Sequence, residues 1–187
     1  MMTLIVGGSG SGKSAYAEDY AMRLSGKGKK YYLATMQAFD EESRKKIERH
    51  QRLRWGKGFC TIEQPTAVQD ALKRMEAGEK TALLECISNL TANEMFSGET
   101  PKAETQVTED VLRGIELLRG ELKHLVIVSN NVFEDGRSYD EATMAYLRAM
   151  GRINERLAAM ADEVVEVVVG IPVVIKACLQ SFDRAVN

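Results

Sequence analysis

MMTLIVGGSGSGKS, residues 1–14, sets the architecture of this chain. A short apolar run over residues 3–6 leads directly into GGSGSGKS, which fits G-x-x-x-x-G-K-[ST] from Gly7 to Ser14. A helix-like stretch, AYAEDYAMRL, follows. Strand, glycine-rich turn and helix in that order form the context in which this pattern cradles phosphate. Gly7, Gly8, Gly10 and Gly12, with Ser9 and Ser11 between them, let successive backbone N–H groups curl around phosphate oxygens at a helix N-terminus. Lys13 can reach the β- and γ-phosphates, and Ser14 can ligate Mg²⁺. The alternative, a Gly/Ser-rich turn with no ligand, leaves Lys13-Ser14 and the correct flanks unexplained. The chain is therefore expected to bind a nucleoside triphosphate.

Composition narrows the rest. A chain of 187 residues fits one α/β domain over 1–187 and can bury a full core. Lys and Arg number 25 against 27 Asp and Glu, so no overall basic excess drives binding to nucleic acid, and none is expected as a partner. Cys60, Cys86 and Cys178 are far apart and lack metal-ligand spacing. An odd, sparse cysteine count suits a reducing, cytoplasmic setting. Cys86 reads as a buried thiol in an apolar strand. No run approaches a membrane span, and the first apolar run is too short for a signal peptide.

Strand-like runs alternate with helical ones. Strands are expected over residues 3–6, 30–34, 81–86, 125–129 and 163–169, with short ones near 59–63 and 173–176. Helices are expected over 13–25, 40–54, 67–77, 105–122 and 140–161. That alternation predicts right-handed crossovers and a mostly parallel sheet flanked by helices, an α/β fold of the P-loop NTPase-like, RecA-like kind. The nucleotide would then sit at the carboxyl edge of the sheet. Segments 56–58, 97–102 and 131–139 read as loops. Glu85 closes the apolar run ALLE, where a charge seldom serves packing and a carboxylate can hold the shell of a Mg²⁺ ion.

A second constellation lies in YYLATMQAFDEESRKKIERHQRLRW, residues 31–55. On a helix, Lys46, His50 and Arg54 share one face, with Arg49 and Arg52 close by. Cations beside an imidazole depress its pKa, favour the neutral nucleophile and attract a triphosphate. The residues alone leave two readings open: a phosphate site, or a solvated basic face with an incidental histidine. The other histidine, His124, begins an apolar strand and reads as structural.

The chain resembles the bifunctional adenosylcobinamide kinase / adenosylcobinamide-phosphate guanylyltransferase family. The likeness rests on GGSGSGKS, on YLAT followed by a helix bearing I-x-x-H (here IERH), on TIEQP, and on LLECISNL as an acidic strand end. It is completed by GRINERLAAMADEVVEVVVGIPVVIK near the end of the chain. The resemblance implies two reactions: phosphorylation of the aminopropanol hydroxyl of adenosylcobinamide, then transfer of GMP from GTP onto that phosphate through a GMP-histidine intermediate. It implies His50 as the nucleophile, with Lys13 the other catalytic residue. It implies nucleotide contacts at Ala34, Thr35 and Met36, at Gln51, Arg52, Leu53 and Arg54, and at Glu63 and Glu85. It also implies GTP and ATP as substrates, Mg²⁺ held by Ser14 and Glu85, and a homotrimer.

The chain departs from the family pattern in places. Asn130-Asn131-Val132-Phe133 stands where Asn-Glu-Val-Gly is usual, and Arg54 is followed by Trp55 and Gly-Lys-Gly rather than by proline. Phe59 takes the place of a tryptophan near T-x-E. The runner-up reading is a P-loop kinase or NTPase of related fold that lacks the guanylyl-transfer step. A small GTPase is disfavoured, because no N-K-x-D motif is present.

Overall fold

The architecture follows from which strands are apolar on both faces. The structure, a computed structural model, describes residues 1–37, 41, 45, 48, 52, 55–131 and 139–177. Seven strands form one sheet: β1 (Met2–Gly7), β2 (Lys29–Ala34), β3 (Cys60–Glu63), β4 (Lys80–Glu85), β5 (His124–Asn130), β6 (Glu163–Val168) and β7 (Ile171–Lys176). Their order is β3-β2-β4-β5-β1-β6-β7, parallel except for β7, which runs antiparallel to β6. The central strands β4 and β5 are continuous apolar runs, as strands covered on both faces must be.

Alternation along each strand sends neighbours to opposite faces. Leu4, Leu84 and Ile127 join a large core beneath three helices, α2 (Ile87–Phe96), α3 (Glu104–Glu121) and α4 (Glu141–Met160). Ile5, Leu83 and Val126 join a smaller core beneath α1 (Lys13–Ser25), into which Ala17 and Ala21 pack. Helix α4 buries Ala149, Met150, Ile153 and Leu157 along one stripe and is capped by Asp140, which accepts from the Thr143 amide at 2.9 Å.

The expected strands are all present, and α1, α3 and α4 lie within a residue of their expected ends. Two readings change. The pattern over 67–77 predicts a helix, but the chain forms a 3-10 segment, Val68–Arg74, entered through Ala67 at φ 45°. The strand expected over 81–86 stops at Glu85, and α2, a helix the pattern does not predict, begins at Ile87, so Cys86 is buried as the cap of a helix rather than inside a strand. Of the expected 40–54 helix, Glu41, Lys45, Glu48 and Arg52 are described; all four are helical and exposed. Among the described residues, no helix is long and apolar enough to cross a membrane.

Candidate nucleotide-binding site

Sheet register gathers the candidate residues at one edge. Glu63 pairs with Ala34, Ala34 with Glu85, and Gly7 with Asn130, so the C-terminal ends of β3, β2, β4, β5 and β1 line up beside the P-loop. The loop between β1 and α1 turns through Gly10 (φ 73°) and Gly12 (φ 91°), left-handed angles that a side chain would resist. It delivers Lys13 and Ser14 as the first residues of α1.

Lys13 is nearly buried, and its ammonium donates to the Gly8 carbonyl at 2.9 Å. Burial lowers its pKa, against the opposing pull of Cys86 and Glu85. A phosphate in the loop would supply a directly bound anion to this desolvated cation. The Ser14 hydroxyl donates to Oε1 of Glu85 in a close contact, and the Tyr32 hydroxyl donates to Oε2 of Glu85 at 2.9 Å. Thus β4, β2 and α1 meet at one carboxylate. A hydroxyl and a carboxylate in contact are hard oxygen donors of the kind Mg²⁺ takes alongside phosphate. Among the described residues, no group of three or more His, Cys, Asp or Glu could hold a metal unaided.

The remaining expected residues differ in setting. Thr35 is wholly buried. Its hydroxyl donates to the Cys86 carbonyl and accepts from the Cys86 amide, its own amide donates to the Glu85 carbonyl, and its carbonyl accepts from Asn93. It therefore ties β2 to the turn after β4. Ala34 and Met36, on either side, are half-buried at the edge. Glu63 is exposed at the end of β3. Arg52 is exposed on its helix, while His50, Gln51, Leu53 and Arg54 lie outside the described residues. His124 begins β5, far along the strand from the P-loop edge, with a buried Nδ1 that has no hydrogen-bond partner among the described residues.

Beside Glu85 the structure adds a polar network in which Ser88 and Asn154, which the sequence offers no reason to single out, meet Asn130 and Ser129. Asn130 donates to the Ser88 hydroxyl at 2.6 Å, and Ser88 contacts the Cys86 sulfur. Asn154, from the GRIN segment of α4, accepts from Ser129 at 2.6 Å. These side chains join the ends of β4 and β5 to α2 and α4.

A family model described as cobinamide kinase / cobinamide phosphate guanyltransferase matches residues 3–175. The chain belongs to this family. The cobinamide kinase / guanyltransferase match takes in the P-loop, the Glu85 strand end, the I-x-x-H segment and the GRIN segment together. The chain is similar to the bifunctional adenosylcobalamin biosynthesis protein CobU of Salmonella typhimurium, at 31% identity over 94% of this chain and 100% of the relative. It is also similar to CobU of Escherichia coli, at 28% identity over 94% and 100%. Among solved structures, the flagellar accessory protein FlaH from Methanocaldococcus jannaschii matches 94% of this chain and 78% of that one, at 13% identity and a TM-score of 0.48. As a cobinamide kinase / guanyltransferase, the protein is a nucleotide-using transferase.

Proposed function

We propose that this enzyme of cobalamin biosynthesis phosphorylates adenosylcobinamide and then transfers GMP from GTP to the resulting phosphate, releasing pyrophosphate and giving adenosylcobinamide-GDP. The observation that carries the reading is the convergence of Lys13, Ser14, Tyr32 and Glu85 at the carboxyl edge of the sheet, in a chain matched to the family over nearly its full length.

In the kinase step the substrate hydroxyl attacks the γ-phosphate of ATP or GTP, and the nucleoside diphosphate leaves. Backbone amides of residues 7–14 and the Lys13 ammonium take up charge on the phosphates. Ser14 and Glu85 would hold Mg²⁺, which when bound neutralises phosphate charge. In the transfer step an imidazole nitrogen of His50 attacks the α-phosphate of GTP. Pyrophosphate leaves, and the ring gives up its N–H proton. The phosphate of adenosylcobinamide phosphate then attacks the phosphoramidate and frees the histidine. Ala34–Met36, 51–54 and Glu63 are assigned to the nucleotide, with Thr35 acting through its hold on the turn after Glu85. The working form is a cytoplasmic homotrimer, as the family resemblance implies.

The test is intact-mass spectrometry after incubation with GTP and Mg²⁺. The wild type should gain the mass of GMP, as an acid-labile, base-stable adduct. His50→Ala should gain none while still phosphorylating adenosylcobinamide, and His124→Ala should label normally. No adduct on the wild type would leave the kinase alone. An adduct persisting in His50→Ala would move the nucleophile elsewhere.

A further inference from the structure

The turn joining β6 to β7 presses on the P-loop from outside the motif. It consists of Val169 and Gly170, both left-handed at φ 47° and 84°, the signature of a primed hairpin turn. Asn-Gly is the usual pair there, and a β-branched residue at positive φ is an outlier. Val169 is 83% exposed, so little packing offsets that strain. The contacts lie on the other side of the turn. The Gly170 amide donates to the Ser11 carbonyl at 2.8 Å. The Gly170 Cα lies 3.4 Å from where a Cβ on Gly12 would stand, and the Val167 carbonyl oxygen 2.6 Å from where one on Gly7 would stand. Both ends of the loop are therefore backed by this hairpin.

The peptide plane gives this contact a consequence for phosphate. In a trans peptide the carbonyl of Ser11 and the amide of Gly12 point in opposite directions. Holding the carbonyl toward Gly170 turns the Gly12 N–H the other way. We propose that Gly170 is a positioning residue for nucleotide binding: its amide fixes the Ser11–Gly12 peptide so that the Gly12 N–H faces the bound phosphates. The proposal rests on the nucleotide reading given above.

Titration calorimetry with GTP–Mg²⁺, paired with thermal melts of the full chain, tests it. Gly170→Ala keeps the amide but resists φ 84°, and should weaken GTP binding about tenfold, the equivalent of one hydrogen bond. Gly170→Val should weaken it further. Gly170→Asn, which tolerates the left-handed region, should recover most of the loss. Val169→Asn relieves the strain without touching the Ser11 contact, so it should melt higher and bind GTP as the wild type does. In the wild type, hydrogen exchange at the Gly170 amide should slow further when GTP binds. Should Gly170→Val fail to fold, the Ala variant and the exchange measurement decide. A lower melting temperature in Gly170→Ala with unchanged GTP affinity would overturn the proposal and leave the turn a piece of sheet architecture, as would exchange at Gly170 that GTP does not alter. A wild type that binds no GTP would overturn the nucleotide reading itself.

Discussion

Glu85 concentrates most of what one side chain does at this site. Its two oxygens are taken by Ser14 and Tyr32, from different elements. Glu85→Gln preserves the shape and removes the charge. Turnover should fall by about 10–150-fold, the equivalent of one charge-assisted hydrogen bond of roughly 1.5–3 kcal/mol, while the melting temperature holds. Steady-state kinetics beside a thermal melt would show it; a variant that melts early yet turns over normally would make Glu85 structural. His124 supports a prediction on pH. Burial lowers its pKa, as do the nearby N-terminus and Lys123, with Glu79 opposing. The unfolded chain therefore takes up a proton near the ordinary 6.5 while the folded chain stays neutral, so stability falls as pH drops below about 6.5 and levels off once the folded form is protonated too. Urea titrations between pH 5 and 7 should show a shallower acid loss in His124→Gln. The glycines, Lys13, Ser14 and Glu85 were legible in the sequence because each is an exception to a local rule: glycine in clusters, a charge ending an apolar run. Tyr32, Ser88 and Asn154 were not, because each looks ordinary in its own segment and acquires a partner only when distant strands are brought side by side.

Strands were easy to read because a sheet covered on both faces demands unbroken apolar runs, and β4 and β5 have them. Helix α2 is hidden in the sequence for a related reason. LLECISNLTANEMF runs from a buried strand into a buried helix, and apolar content alone does not mark the change of period. The spacing Ile87, Leu90, Met95 carried the signal. The 3-10 segment carries a helix-like pattern because its composition suits either form. The connection between the I-x-x-H segment and β3 has its own anchor. The Lys57 ammonium reaches Glu18 on α1 at 2.7 Å and Asp19 at 3.3 Å. The Glu18 side chain is 5% exposed, and although burial works against the Lys57 charge, these hydrogen bonds raise its pKa. Lys57→Met would strand a buried carboxylate. It should lower stability by about 1–3 kcal/mol, toward the lower end because Lys57 is partly solvated, and Glu18→Leu added to it should restore most of the loss. Urea midpoints for the single and double variants give the comparison. A double variant no better than the single one would show that the ion pair itself, rather than the uncompensated charge, is what matters.

The sheet as a whole is asymmetric at its margins. β3 is short and carries charge, whereas β7 ends the other side as an apolar strand exposed along its whole length, with Ile171 62%, Val174 55% and Ile175 61% exposed. An apolar edge of this kind invites another chain. Val174→Lys should convert the proposed homotrimer to monomer, and light scattering coupled to size exclusion measures the change; a variant that keeps the wild-type mass would place the subunit contact elsewhere. Gly170 immediately precedes β7, so the hairpin that would meet a neighbouring copy is also the one that touches the P-loop. Where assembly and GTP both bias that element, the two equilibria are thermodynamically linked, and the linkage is reciprocal: whatever assembly contributes to GTP affinity, GTP returns to assembly by the same factor. Serial dilution should then loosen GTP binding along the same curve on which the oligomer dissociates, and saturating GTP should shift that curve to lower protein concentration.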